Sequence, residues 1–127
     1  MTELDRTALL PYSAEQMYEL VCDIESYPKF LPWCDAIDIL EDDRKHNIIE
    51  AKLYVKKGFV ETSFSTKNTL NKNISLHMDL LDGPFEFLEG HWEFVSLSET
   101  ACKVTLNLSY RFANRAFSMA LKPIFTQ

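Results

Sequence analysis

The sequence predicts an α+β domain, built on one antiparallel sheet of about six to seven strands with helical segments before and after most of it. Three observations carry this. Apolar and polar residues alternate through successive stretches joined by short turns. Residues 13–24 and 114–127 instead repeat their apolar residues at helical spacing. No strand–helix–strand crossover is needed, so strands can pair with their neighbours in sequence. The chain has 127 residues, 46 % of them hydrophobic, which suits one domain with a single core.

The first strand is residues 2–10, where Leu4, Arg6, Ala8 and Leu10 alternate with Glu3, Asp5, Thr7 and Leu9 until Pro11 ends it. Ser13 then reads as a helix N-cap, and Gln16 completes a capping box. Glu15 adds a favourable charge at the positive end of the helix dipole. Met17, Leu20, Val21 and Ile24 form the apolar stripe of a helix over 13–24. In the segment 25–34, Pro28 and Pro32 leave room for at most one short helical turn. Tyr27, Phe30, Leu31 and Trp33 crowd into it, and a surface loop should be polar, so this one folds inward. It is either a lid or wall of a pocket, or a plug at the end of the core.

Residues 36–40 read as a short strand and 41–47 as a polar turn. The next strand, 48–57, has Ile49, Ala51, Leu53 and Val55 on one face and Glu50, Lys52, Tyr54 and Lys56 on the other, a half-buried antiparallel pattern. After a hairpin turn at Lys57-Gly58, Val60, Thr62, Phe64, Thr66 and Leu70 alternate through 59–70. A turn at 71–73 leads to the strand carrying Ile74, Leu76, Met78 and Leu80, which ends at Asp82-Gly83-Pro84. From Glu86 to Phe94 the faces alternate again, and Gly90 interrupts them. Glycine inside a strand signals a bulge or a close approach of another group. A bulge there would bring Phe87 and Trp92 onto one concave side, lining a cavity; without it this is a bent core strand. Cys102, Val104, Leu106, Leu108, Tyr110 and Phe112 give the cleanest alternation in the chain.

Asn114 is placed to cap a last helix with Phe117, Ala120, Leu121 and Ile124 on one face, and Pro123 is expected to kink or restart it. Residues 114–127 span only about 20 Å at ~1.5 Å per residue, whereas crossing such a sheet takes about 30 Å. The helix is therefore expected to continue past Gln127, with apolar sheet left uncovered.

The net charge of −6 weighs against a protein whose main task is gripping nucleic acid; any RNA contact must rest on a local patch, and no DNA partner is expected. Aromatics reach 13 %, with nine Phe, enough to fill a core or line an apolar pocket. Cys22, Cys34 and Cys102 are odd in number and lack a Cys-x-x-Cys, which fits free thiols in a reducing compartment. His46, His77 and His91 show no ligand spacing with them, so no metal site is expected. The opening MTELDRTALLPYS has acids where a signal peptide needs a basic and then an apolar run. No stretch approaches the roughly 18 apolar residues of a membrane span. A cytoplasmic protein without a transmembrane segment is expected.

Three segments, Arg6–Met17 (RTALLPYSAEQM), Tyr27–Cys34 (YPKFLPWC) and Leu81–Phe94 (LDGPFEFLEGHWEF), together resemble the coenzyme Q-binding, polyketide cyclase-like branch of the START-like superfamily. Its bacterial members are ribosome-association toxins (RatA). The resemblance runs from Thr2 to Gln127. It implies a helix-grip fold, START-like and Bet v-like, in which a curved sheet wraps a long C-terminal helix around an apolar cavity. It implies no catalytic machinery and no cofactor. For the coenzyme Q-binding members it implies ubiquinone or a related polyprenyl lipid as ligand, in support of respiration. For the toxin members it implies binding to the large ribosomal subunit, which blocks subunit joining.

On the lipid reading, Phe30, Trp33, Phe64, Phe87, Leu88 and Trp92 are expected beside the ligand. On the ribosome reading, the candidate contacts are Lys56, Lys57, Lys67, Lys72, Arg111 and Arg115, of which only the first two cluster. An enzyme would need an acid, base or nucleophile in the cavity. His91 and Glu89, with Asp82 nearby, are the available groups, and the same spacing fits a solvent-facing pair. The expectation is a non-enzymatic binding protein.

Overall fold

The computed structural model describes residues 2–29 and 31–125, with side chains through Lys122. Its strands are β1 (Thr2–Leu10), β2 (Cys34–Asp43), β3 (Ile48–Lys57), β4 (Val60–Asn71), β5 (Ser75–Asp82), β6 (Phe85–Ser98) and β7 (Ala101–Phe112). They form one antiparallel sheet in the order β1-β7-β6-β5-β4-β3-β2. Thus β2 to β7 run as a meander, and β1 joins the far edge through β7. Two α-helices, α1 (Ala14–Cys22) and α2 (Arg115–Phe125), and a 3₁₀ segment, Ile24–Lys29, cover the inner face.

Local chemistry sets the helix starts. Ser13 Oγ accepts from the Gln16 N–H at 3.1 Å, and Gln16 Oε1 accepts from the Ser13 N–H at 2.9 Å. Asn114 Oδ1 accepts from the Phe117 N–H at 2.9 Å, capping α2. Helix α1 stops at Cys22, earlier than its apolar spacing predicts, and Ile24 is buried within the 3₁₀ segment instead. Helix α2 continues through Pro123 to Phe125 rather than restarting there. A proline costs the helix one N–H donor, which does not by itself end it.

The apolar residues gather in two clusters. The first holds Ile49, Ala51, Leu53 and Val55 of β3 with Phe64, Phe85, Leu88 and Tyr110, closed by Ile24 and by Leu121 of α2. The second lies under α1, where Ala14, Tyr18, Val21 and Cys22 meet Leu76, Phe94, Cys102 and Val104. Tyr18 packs edge-on to Phe94 at 5.7 Å. Burying Val21 alone is worth roughly 1.5–3 kcal/mol, so tertiary packing outweighs intrinsic propensity in holding so short a helix.

One expectation about strands needs correction, and one open alternative is decided. Strand β2 runs over Cys34–Asp43, well beyond 36–40, because register shifts at Cys34/Ala36 and Ile39/Glu41 break the alternation without breaking the pairing. The bulge in β6 lies between Phe85 and Phe87, not at Gly90, which stays in register opposite Met78 and Leu108. The extra residue falls just after Pro84, which has no N–H to give a ladder. Phe85 and Leu88 are therefore both buried, although strict alternation would put them on opposite faces. Phe87, paired with Arg111, is left on the outer face.

Glu41 of β2 faces Glu50 of β3, and a shared side-chain hydrogen bond, followed by Glu50's charge, raises the Glu41 pKa. A carboxyl whose pKa rises on folding is best accommodated at acid pH and loses that advantage as pH climbs through the raised value. Glu41→Gln should therefore raise the melting temperature at pH 7 and leave it unchanged near pH 4. Thermal melts at both values check this, and an equal shift at each would exclude the pairing as its cause.

Candidate functional site

Two rows of side chains cross the inner face where the core is least closed. In one, Leu108, Gly90, Met78 and Asn68 stand side by side from β7 to β4. In the other, Leu106, Trp92, Leu76 and Leu70 do the same. Leu106, Leu108, Trp92, Met78 and Leu70 are only half-buried. Leu70 packs against both clusters, so the rows bridge them. A Cβ built on Gly90 would lie 2.7 Å from Met78 Cε and 3.3 Å from Leu108 Cδ1. Gly90 thus supplies a close approach of side chains, with Met78 and Leu108 closing over the space a Cβ would take.

One polar pair lies buried beneath this surface. Thr66 is 1 % exposed and Asn68 4 %. Asn68 Nδ2 donates to the Ile49 carbonyl and to Thr66 Oγ1, each at 3.2 Å. With Oγ1 accepting, the Thr66 hydroxyl keeps its own proton to donate. Counting apolar residues along β4 passes over position 68. The available signal was a polar residue at a position the register assigns to the core.

The rows lead at Leu70 to an open cavity of ≈ 480 Å³ between the end of α1 and two turns, which Tyr18, Cys22, Arg44, Asn47 and Lys72 also line. A second, of ≈ 350 Å³, lies at the opposite end, where β7 passes into α2 beside Tyr110, Phe112 and Arg115.

The six expected ligand-lining residues are not gathered in one place. Phe64 and Leu88 are buried in the first cluster, and Trp33 packs against it. Trp92 packs against the second and lies on the half-buried rows. Phe87 is on the outer face, and Phe30 lies outside the described residues. The inward-folding loop packs on the first core cluster through Tyr27 and Trp33 rather than standing as a free strap. The Tyr27 hydroxyl donates to the Val21 carbonyl, and the Trp33 carbonyl accepts from the Lys56 N–H at 2.9 Å.

The six basic candidates are scattered too. Lys56 and Lys57 end β3, Lys72 lines the larger cavity and Arg115 the smaller. Arg111 approaches Glu86 at 3.5 Å on the outer face, and Lys67 stands opposite Asp79. The His91–Glu89 pair that an enzyme would have used is not made. His91 Nε2 lies 3.2 Å from Glu93 Oε1, and Glu89 instead reaches His77. The two histidines and their carboxylate partners all face outward.

Cys22, Cys34 and Cys102 are free and buried, and burial pushes each thiol pKa up, away from the thiolate a nucleophile needs. Iodoacetamide at pH 8 should label the native protein at least about tenfold more slowly than the unfolded chain. Rapid labelling of a native thiol, read by mass spectrometry, would overturn this.

Residues 10–127 match the family described as polyketide cyclase/dehydrase and lipid transport. The chain belongs to this family. A ribosome association toxin RatA from Pseudomonas aeruginosa is 43 % identical over 126 residues, spanning 99 % of this chain and 86 % of that protein. The RatA of Escherichia coli is 42 % identical over 127 residues, 100 % of this chain and 79 % of that protein. A mitochondrial coenzyme Q-binding protein from Dictyostelium discoideum is 31 % identical over 91 residues, 71 % of this chain and 44 % of that one. Among solved structures, a START superfamily protein from Mycobacterium smegmatis superposes with a TM-score of 0.81 at 20 % identity, covering 98 % of this chain and 86 % of that one. An aromatase/cyclase from Streptomyces gives 0.73 at 17 %, covering 91 % and 72 %. At such identities the structures speak for the fold alone, and it is the START-like helix-grip fold. The family's description spans cyclases and lipid transport, so membership does not choose between chemistry and binding. Among the described residues, no helix is long and apolar enough to cross a membrane.

Proposed function

We propose that this chain is a non-enzymatic binding protein for an apolar lipid of the ubiquinone class, seated over the half-buried rows of the inner face. The carrying observation is the Thr66–Asn68 pair, a buried polar pair beneath an otherwise apolar surface, whose hydroxyl a ligand would reach once the half-buried side chains over it part. A prenyl tail needs apolar contact, which Met78, Trp92, Leu106 and Leu108 offer. A quinone carbonyl needs one hydrogen bond for orientation, which the Thr66 hydroxyl can give. Trp33, Phe64 and Leu88 form the wall behind. The likeness to a coenzyme Q-binding protein supports this reading.

A second reading is association with the large ribosomal subunit. The name RatA, carried by relatives 43 % and 42 % identical, favours it. The separation of the basic candidates over several surfaces gives it no ready contact patch.

The test is native mass spectrometry with lipid extraction on protein purified from a quinone-producing host. Wild type should carry ubiquinone. Thr66→Val, if its circular dichroism is native, should hold it about 5- to 10-fold more weakly, as loss of one hydrogen bond predicts. An empty protein that co-sediments with large ribosomal subunits in a salt-sensitive way would move the assignment to the second reading. An empty protein that does neither would reject both.

A further inference from the structure

The outer face of the sheet carries, at its centre, a group of side chains that the lipid reading does not use. Strands β5 and β6 are interior strands, and their register sets His77 opposite His91 and Asp79 opposite Glu89. His77 Nε2 is 3.3 Å from Asp79 Oδ1 and 3.4 Å from Glu89 Oε1. The ligand atoms of these three residues all lie within 4.8 Å of one another. The His91 ring stands 5.8 Å from that of His77. No spacing along the chain reveals this group, because half of it comes from each strand.

Two features point to a cation. Nitrogen and oxygen donors placed tetrahedrally at about 2.1 Å from an ion are about 3.4 Å from one another, the separation His77 Nε2 already keeps from both carboxylates. Like charges directly opposite on neighbouring strands repel, and Asp79 and Glu89 are so placed. The neighbouring ammonium on this face is Lys67, across from Asp79 on β4. A divalent ion between the two carboxylates would turn that repulsion into binding energy. One imidazole with two carboxylates suits zinc and its first-row neighbours, whereas magnesium and calcium favour all-oxygen sets with higher coordination numbers. We propose that His77, Asp79 and Glu89 form a surface site for a divalent first-row transition ion of the zinc class, with water completing the coordination.

Isothermal titration of the intact chain with zinc chloride at pH 7, in a non-chelating buffer, tests this. One ion should bind per chain, and magnesium chloride should give no heat. His77→Ala and Glu89→Gln should each weaken zinc binding by at least about tenfold. His46→Ala should leave it unchanged, since His46 pairs with Asp43 elsewhere. Zinc should also raise the melting temperature of wild type and not of His77→Ala, because binding to the native state alone stabilises it. Absence of saturable one-to-one binding below millimolar zinc would overturn the site. So would wild-type affinity in both His77→Ala and Glu89→Gln.

Discussion

Replacing Gly83 with alanine should destabilise the fold by about 2–6 kcal/mol, the sum of backbone strain and overpacking at one position. Gly83 has φ +149, a conformation that L side chains rarely adopt. A Cβ there would sit 2.6 Å from Phe64 Cβ and 3.1 Å from Phe64 Cα. Those atoms belong to the β4 backbone and its first side-chain atom, so neither can swing aside. Nor can the turn withdraw freely, because the Pro84 carbonyl accepts from the Ala113 N–H at 2.8 Å and ties the turn to the start of α2. Phe64 packs edge-on to Phe85, the residue after that proline, at 5.8 Å. The Asp-Gly-Pro-Phe motif is thus a joint between β4, β6 and α2. A typical domain has only about 5–15 kcal/mol of stability in total, so the loss is severe. Urea unfolding measures it; a change below about 1 kcal/mol would mean that the turn relaxes without strain.

Gly90→Leu should have the opposite profile: nearly native stability and at least tenfold weaker ubiquinone retention. The first atom a new side chain meets is Met78 Cε, the end of a flexible side chain that can move away. The leucine would then push Met78 outward into the space beside Trp92 and Leu108, where the proposed lipid lies. A tenfold loss corresponds to about 1.4 kcal/mol, less than the transfer energy of one large apolar contact. Retained lipid per chain and melting temperature, measured on the same preparation, separate the two effects. Wild-type retention in Gly90→Leu would place any lipid away from these rows.

What was legible in the sequence is what local chemistry decides. The capping box at Ser13 and the limits of β3 depend on residues a few positions apart, and both stand as read. At Gly90 a bulge and a close approach were both open; the close approach holds, and the irregularity instead follows Pro84, which glycine spacing does not signal. It leaves Phe87, expected beside a ligand, on the outer face. Thr66 was placed on the inward row without a role, and Asn68 was passed over, because a polar residue at an inward position resembles a gap in the pattern. His77 and Glu89 meet only through cross-strand register, which the β5–β6 turn and its pairing determine together. The outer-facing cluster is therefore a tertiary property, although every member of it lies within a short stretch of chain.

The position of β1 has a consequence for how the molecule is made. Its Thr2 pairs with Tyr110, and its other partners are all in β7, nearly the whole chain away. During synthesis the first strand emerges long before its partner exists, with unpaired N–H and C=O groups along its edge. Helix α1 must wait as well, because it docks on β6 and β7. The meander from β2 to β6 can form as it emerges, while the second cluster closes only when β7 arrives. Long-range closure of this kind slows folding. A chain stopped before β7 would leave β1 unsatisfied and α1 undocked, a species prone to pair with other chains.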